Sequence, residues 1–340
     1  MNHKVHHHHH HIEGRHMPAP AGDAAGLGLE ATEHPLLATA TELPDGGYLF
    51  TGRLALREHP WLADHTIAGT TIVPGTAFVE LALHAADIAG CDEITELVLH
   101  TPLVLSTQSS SLLQVAVGPA DPSGARSLTI RSHGEDVRLW VEHADGSIGP
   151  GETAPELPEP VRVGLVPRGS GMTGSEEAFA SADGTDEAWP PPGGDAWDTA
   201  GLYARLADRG FQYGETFRGL RAAWSSGEDI YADVEVGAPA SSPKPEAFHV
   251  HPALLDAALH AALGPLLDGE EGLFLPFALR RVRVHHSGAK SLRVHITPDG
   301  DKSVSLSAVD AAGNAVVSVG SVALRPVSSA QLAAAAGRNG

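Results

Sequence analysis

Residues 65–75 read HTIAGTTIVPG, and this stretch decides the fold. Its first part is short and extended, and the Pro-Gly step at its end precedes an apolar run, 76–86, with helical spacing. The stretch therefore places His65 near the N-terminus of a buried helix, where free backbone N–H groups can stabilise negative charge. The pattern predicts a helix over 75–89 that contributes to a functional site.

A second stretch, 251–260, reads HPALLDAALH and predicts another buried helix. Pro252 suits the first helical turn, and Asp256 and His260 share one helix face because they are four residues apart. An ionised carboxylate is costly to bury among leucines and alanines, so burial is expected to raise the pKa of Asp256 and keep it protonated. Taken alone, Asp256 would more often be a surface carboxylate, and His65 would more often be a packed structural histidine.

Strand-like runs separated by turn residues lie before and after each predicted helix. In the first half, assigned to 18–145, strands are expected at 47–57, 94–105, 111–118, 126–132 and 137–143. In the second half, assigned to 199–327, a short helix is expected at 198–209 and strands at 217–225, 229–236, 279–286, 290–297, 303–310 and 314–325. One helix wrapped by an antiparallel sheet, present twice, predicts an α+β domain of two similar halves.

Some segments are expected to lie outside these halves. Residues 1–17 contain six consecutive histidines followed by Ile-Glu-Gly-Arg and are interpreted as an expression tag. Residues 146–198 are rich in Gly, Pro and acidic residues and predict a linker. Within them, 165–170 read LVPRGS, the recognition sequence of thrombin, which indicates an engineered site unless the match is chance. The small residues of 328–340 predict a flexible tail.

Composition limits the classes of protein that fit this chain. It has 340 residues, a formal net charge of −20 and one cysteine, Cys91, so no intrachain disulfide can form. The acidity argues against nucleic-acid binding, and no apolar run reaches the ~18–20 residues that span a bilayer. The sequence therefore predicts a cytoplasmic protein without nucleic-acid or membrane contacts.

The two stretches together resemble the signatures HxxxGxxxxPG and HPxxxDxxxQ/H of dehydratase domains in modular type I polyketide synthases. Two further segments agree: 210–220, GFQYGETFRGL, is similar to GxxYGPxFxGL, and 275–285, LPFALRRVRVH, is similar to LPFxxxxVxxH. The resemblance covers about 32–327 apart from the linker. It implies a double hot-dog fold, in which two antiparallel sheets each wrap a central helix and join into one continuous sheet.

The resemblance also implies a reaction. The chain would remove water from a 3-hydroxyacyl thioester on acyl carrier protein and leave an α,β-unsaturated (enoyl) thioester. His65 would be the base that takes the C2 proton, and protonated Asp256 would donate to the departing 3-hydroxyl. His260 would orient Asp256, and the backbone N–H of Gly75 would hold the thioester oxygen.

Other positions acquire supporting roles from the same resemblance. Tyr213 and Gly214 would border the cleft, and Glu215 stands where the family usually has proline, which puts loop geometry, substrate preference or rate in doubt. Substrate contacts are assigned to Gly69, Pro74, Pro276 and Phe277. A basic cluster could guide docking of the anionic carrier, or could be a solvated strand face; it comprises Arg280, Arg281 and Arg283.

No cofactor is expected, because the substrate is carried on the phosphopantetheine of acyl carrier protein. The expected partners are acyl carrier protein, neighbouring polyketide synthase domains and a second copy in a homodimer. Bacterial antibiotic biosynthesis is the expected setting.

Three alternatives stay open at this point. A metal enzyme would need ligands, and although several histidines are available, no HExxH or CxxC spacing is present. The same fold could act as a double-bond isomerase or a cyclase. It could also be a non-catalytic carrier-binding module. The intact spacing of Asp256 and His260 favours dehydration.

Overall fold

The computed structural model describes residues 30–31, 33–135, 139–151, 189–237, 242–269 and 272–339. The helices are α1 (Gly75–Ala89), α2 (Thr199–Asp208), α3 (Pro252–Leu263), α4 (Leu266–Gly269) and α5 (Ser329–Asn339). The strands are β1 (Glu30–Ala31), β2 (Thr39–Glu42), β3 (Tyr48–Ala55), β4 (His65–Ile67), β5 (Thr70–Thr71), β6 (Glu93–Leu99), β7 (Ser110–Val117), β8 (Arg126–Gly134), β9 (Val141–Gly149), β10 (Asp195–Ala196), β11 (Phe211–Tyr213), β12 (Leu220–Ser226), β13 (Asp229–Glu235), β14 (Leu273–Val284), β15 (Ser291–Gly300), β16 (Ser303–Val309) and β17 (Ala315–Val327). The predicted tag (1–17) and the thrombin-like sequence (165–170) lie outside the described residues.

Most strands belong to one large sheet that joins the two halves. In the described part of the chain, 14 strands pair in the order β1-β2-β3-β7-β8-β9-β6-β14-β17-β16-β15-β13-β12-β10. The halves meet where β6 pairs with β14, with Leu97 opposite Leu279 and Val98 opposite Ala278. The pairings within each half are antiparallel. The predicted α+β double hot-dog fold is confirmed.

The two long apolar helices form the centre of the fold. All twelve residues of α3 are buried, and so are most of those in α1. A helix that is apolar on nearly every side must be shielded from water on every side. The sheet and the neighbouring helix bury these apolar side chains. The buried polar exceptions on these helices include Glu80, Asp256 and His260, and each of them has a specific partner.

Several strand boundaries differ from the predicted ones because strand pairing overrides local composition. Strand β14 begins at Leu273, six residues before the predicted start at 279, since its first residues pair with β17. Strand β6 ends at Leu99, and residues 103 and 105 instead hydrogen-bond to the main chain of Val73 and Thr71. Strand β9 continues to Gly149, past the predicted start of the linker, since it pairs with β6 on one side and β8 on the other. Residues 152–188 of that predicted linker lie outside the described residues.

The end of the chain forms a helix where a flexible tail is expected. Leu332 and Ala335 of α5 are fully buried. The helix begins with a reciprocal cap: the Ser328 hydroxyl accepts from the Gln331 N–H, and the Gln331 amide oxygen accepts from the Ser328 N–H. This is a capping box, and its Ser-x-x-Gln spacing is the sequence signal that predicts a helix start here.

A buried carboxylate ties the first helix to the segment that leads into the second. Glu80 Oε1 accepts from Val250 N (2.8 Å), and Oε2 accepts from His249 N (2.9 Å) and His34 Nε2 (2.8 Å). Since His34 Nδ1 accepts from Leu36 N, the proton of neutral His34 is on Nε2. Burial raises the pKa of Glu80 to about 7 and lowers the pKa of His34 to about 3. At pH 8 the Glu80 carboxylate therefore accepts three hydrogen bonds.

We expect Glu80→Gln to lower the free energy of unfolding by about 1–3 kcal/mol at pH 8, because the new amide NH₂ faces backbone donors. Urea denaturation measures the difference. The matched control is Glu58→Gln, which removes an exposed ion pair to Arg53 and should change the stability by less than about 0.5 kcal/mol. Equal stability of Glu80→Gln and the unmodified protein would contradict the assigned role.

Candidate active site

His65 is held as a neutral base by its surroundings. It opens β4 and lies opposite Tyr213 of β11. Its Nδ1 lies 2.8 Å from the carbonyl oxygen of Ile72, which can only accept, so Nδ1 carries the proton and Nε2 keeps its lone pair. Burial lowers the pKa of His65 even though the charge of Asp256 opposes this, so the ring is neutral at pH 7. The geometry gives an imidazole that is ready to take a proton through Nε2.

Three titratable groups meet around one oxygen atom. His260 Nε2 lies 2.9 Å from Asp256 Oδ2, across one turn of α3. His65 Nε2 lies 3.9 Å from the same oxygen. Asp256 is only 7% exposed, and both histidines are more buried still. The structure thus brings together the three residues that the two sequence stretches single out.

The expected protonation of Asp256 requires a correction. Burial does raise the pKa of Asp256, but the charge and hydrogen bond of His260, together with the charge of His65, outweigh burial and leave the pKa lowered. The apolar neighbours along the helix suggest the opposite, because a single helix does not reveal that two imidazoles converge on the carboxylate. Asp256 is therefore ionised in the free protein at neutral pH.

Tyr203, which no sequence motif singles out, extends the hydrogen bond between Asp256 and His260 into a chain of three residues. The hydroxyl of Tyr203, on α2, accepts from Leu220 N (3.0 Å) and lies 2.9 Å from His260 Nδ1. When His260 donates Nε2–H to the Asp256 carboxylate, its Nδ1 is an acceptor and Tyr203 donates to it. Burial raises the pKa of Tyr203, so the hydroxyl keeps its proton.

The first turn of α1 faces the same space. The helix begins at Gly75 without a side-chain cap, which leaves backbone N–H groups for a ligand. A Cβ at Gly75 would lie 2.8 Å from Leu99 and 3.3 Å from Pro276, so only glycine fits without displacement. The Thr76 hydroxyl donates to the carbonyl of Pro252 (2.8 Å) and joins the first turns of α1 and α3. This N-terminus suits an oxygen with partial negative charge.

The neighbouring turn is shaped by packing. Tyr213 is buried, and its ring stacks on His260 with centroids 4.4 Å apart. Gly214 does not line the cavity; its N–H donates to the carbonyl of Asp64, and a Cβ there would lie 2.2 Å from the Asp64 side chain. The Asp64 carboxylate in turn accepts from the N–H and hydroxyl of Thr216. Gly214 therefore allows the close approach that fixes Tyr213 beside His65.

Glu215 does not alter the cavity wall. Its side chain is exposed and it begins a short 3₁₀ turn, Glu215–Phe217. Proline also suits the first position of a helical turn. The charge of Glu215 therefore lies on the protein surface.

A cavity of about 460 Å³, to which both halves contribute, is lined by His65, Gly75, Tyr213, Asp256 and His260. Pro276 and Phe277 are part of its wall, as expected, whereas Gly69 and Pro74 are not. Gly69 has a φ of +78° in the turn between β4 and β5, and its N–H donates to the Gln212 side chain. Further wall residues that no sequence motif singles out include Phe78, Leu99, His100, Thr101, His143, Leu259, Leu263, Phe274, Leu324, Arg325 and Gln331.

The three predicted docking arginines lie elsewhere. None of them lines the cavity. Arg280 forms an exposed ion pair with Glu96 (3.1 Å), and the Arg281 guanidinium lies over the backbone of Gly320. Arg283 borders a separate depression of about 250 Å³. Their role in docking stays a prediction.

The described residues contain neither a cluster suited to a metal ion nor a membrane-spanning helix. Over the described ranges, no group of three or more His, Cys, Asp or Glu side chains is arranged to hold a metal ion. Within the same part of the chain, no helix is both long enough and apolar enough to cross a bilayer.

Comparison with known proteins gives two family matches. Residues 34–133 match the model of the polyketide synthase dehydratase domain, and 181–334 match the model of the polyketide synthase dehydratase N-terminal domain. Polyketide synthase GfsB of Streptomyces halstedii is 42% identical over 325 residues, which are 91% of this chain and 5% of that protein. The chain therefore spans a small fraction of this relative's length.

Two solved structures are similar to this chain in sequence and fold. The crystal structure of a fusion DH domain is 87% identical, with a TM-score of 0.79, over 92% of this chain and all of that one. A bifunctional dehydratase-cyclase domain in ambruticin biosynthesis is 35% identical, with a TM-score of 0.72, over 88% of this chain and 99% of that one.

Proposed function

We propose that this chain, which belongs to the polyketide synthase dehydratase family, removes water from a 3-hydroxyacyl group. The acyl group is held as a thioester on acyl carrier protein. The product is the α,β-unsaturated thioester. The observation that carries the proposal is the unprotonated Nε2 of His65, 3.9 Å from the Asp256 carboxylate, in a cavity that the N-terminus of α1 also faces.

The base step follows from the state of His65. Its Nε2 takes the C2 proton, while the Ile72 carbonyl holds the Nδ1 proton and fixes the ring. Negative charge that develops on the thioester oxygen is stabilised by the backbone N–H at Gly75 and by the dipole of α1. The ionised Asp256 stabilises the imidazolium that His65 becomes.

The acid step uses the same carboxylate at a later stage. Elimination of water consumes no net proton, so the proton that leaves C2 balances the one that the 3-hydroxyl needs. Asp256 lies within 4 Å of both imidazoles, and it receives the C2 proton from the His65 imidazolium, which becomes neutral again, as the C–O bond breaks. It then donates that proton to the departing hydroxyl. This sequence reconciles an ionised resting Asp256 with its role as the acid.

Intact mass spectrometry tests the proposal directly. Carrier protein loaded with a 3-hydroxyacyl group is incubated with tag-free protein, and we expect the loss of one water from the acyl group. Carrier loaded with the same chain without the 3-hydroxyl is the control. An unchanged mass after prolonged incubation with substrate still attached would contradict dehydration.

Tyr203→Phe tests the hydrogen-bond chain behind His260. Phenylalanine keeps the ring but leaves His260 Nδ1 and the Leu220 N–H without their partner. Because one such hydrogen bond contributes about 0.5–1.5 kcal/mol, we expect kcat to fall about 2–10-fold and the pH dependence of kcat to shift, with KM unchanged. Tyr231→Phe is the matched control, since Tyr231 is buried against His295 outside the cavity. An unaltered pH profile in Tyr203→Phe would refute the positioning role.

Ring closure after dehydration is the second candidate, and the 35% identical dehydratase-cyclase domain favours it. Closure on the enoyl group leaves the mass of the dehydrated product unchanged, so nuclear magnetic resonance of the released product separates the two. Alkene signals indicate dehydration alone. Acyl carrier protein, neighbouring synthase domains and a second copy of this chain are the partners that we propose.

A further inference from the structure

A second cavity, of about 720 Å³, lies beyond the C-terminal end of α3. The proposed dehydration does not use it. Its walls come from α2, the end of α3, β13, and the turn between β15 and β16, so it belongs entirely to the second half of the chain.

One side chain, Leu324 on β17, lines both cavities. It is 4% exposed, its N–H donates to the Lys302 carbonyl, and it pairs with Pro276 of β14. The backbone at this position is therefore fixed on both sides. Leu324 therefore separates the two cavities, and shortening its side chain would open a passage between them without changing the backbone pairing of the sheet.

Helix α3 extends from the catalytic cavity to the second cavity. Asp256, Leu259 and Leu263 line the catalytic cavity, and Gly264 lines the second one. Asp256 and Gly264 are eight residues apart, which is about 12 Å along a helix, so the second cavity begins a short distance from the catalytic carboxylate.

The second cavity suits a largely apolar chain with a polar end. Its inner wall is built from apolar side chains, namely Leu202, Ile230, Ala262, Ile296, Val304 and Leu324. Charged groups form its border: Arg205 and Asp268 form an ion pair (2.7 Å), and Lys302 lies nearby on the turn between β15 and β16. Apolar burial would stabilise hydrocarbon inside, while the border can contact hydroxyl or carbonyl groups at the distal end.

We infer that the second cavity binds the distal part of long 3-hydroxyacyl chains and that Leu324 determines how readily a chain enters it. This inference rests on the proposed dehydration. Leu324 touches the chain far from C2 and C3, so it is a specificity-determining residue and not a catalytic one.

The test compares two substrates, 3-hydroxybutanoyl and 3-hydroxydodecanoyl carrier protein, in three variants. We expect Leu324→Ala to raise the ratio of kcat/KM for the long over the short chain about 10-fold, mainly through a lower KM for the long chain. Leu324→Phe, whose larger side chain would block passage between the cavities, should lower the ratio. Leu306→Ala is the matched control, because Leu306 is 1% exposed on the neighbouring strand and lines neither cavity.

The outcomes separate this inference from the proposed function. If the unmodified protein dehydrates both chains and Leu324→Ala changes their ratio no more than Leu306→Ala does, the role of Leu324 is wrong while dehydration stands. If the unmodified protein dehydrates neither chain, both proposals fail. A ratio that rises in Leu324→Ala and falls in Leu324→Phe supports the inference.

Discussion

His65→Ala is expected to reduce kcat by about 10²–10⁴-fold, the usual contribution of a positioned general base. The loss has a specific origin, because no other imidazole in the cavity presents an unprotonated nitrogen beside the Asp256 carboxylate in the described structure. Both ring nitrogens of His260 already form hydrogen bonds, to Asp256 and Tyr203. Those of His143 form hydrogen bonds to Ser132 and to the carbonyl of Thr101. The third, His100, is exposed and hydrogen-bonds to the Asp145 carboxylate. None of the three can replace Nε2 of His65.

The rate is measured by single-turnover mass spectrometry of loaded carrier protein. His65→Asn is a second variant that keeps a donor for the Ile72 carbonyl and should be equally slow. His295→Ala is the matched control, since His295 is buried against Tyr231 outside the cavity and its loss should leave kcat unchanged. Turnover within tenfold of the unmodified protein in both His65 variants would rule out the base assignment.

The pH dependence gives an independent check on His65. Burial lowers the pKa of its ring, so the neutral base persists below the ordinary histidine range. We therefore expect kcat/KM to hold down to a pH below about 6.5 and to fall only under more acidic conditions.

The fold was largely predictable because its strongest signals are local. The apolar runs at 76–86 and 252–263 have helical spacing, and each is followed by alternating strands and turns. Errors occur where pairing partners decide the outcome. Strand β9 contains Asp145, Gly146 and Ser147, which favour turns, yet it is held by neighbours on both sides.

The site was predictable only in part, for a related reason. Motif spacing identifies His65, Asp256 and His260, but it carries no information about which ring nitrogen holds a proton. The lowered pKa of Asp256 depends on histidines from two different elements. Tyr203 reaches His260 across 57 residues of sequence, and no periodic pattern encodes that contact.

Asp256→Asn should also reduce kcat by about 10²–10⁴-fold, because it removes both the carboxylate that stabilises protonated His65 and the group that passes the proton to the hydroxyl. The asparagine oxygen can still accept from His260, so folding is preserved. Asp233→Asn is the matched control: Asp233 is partly buried, accepts from the Trp189 ring N–H (2.7 Å) and lies outside the cavity. Its kcat should be unchanged.

We also expect Asp256→Asn to change the pKa of His65, which a purely structural role of Asp256 would not require. The negative charge of Asp256 raises the pKa of His65 against the effect of burial, so its removal must lower that pKa further. Titration of the His65 ring protons by nuclear magnetic resonance should show the acid midpoint moving to lower pH in Asp256→Asn and staying in place in Asp233→Asn. A slow variant with an unmoved His65 midpoint would mean that the carboxylate acts only on the leaving hydroxyl. Full activity with a moved midpoint would instead remove Asp256 from the proton path, because the base would then work without its partner.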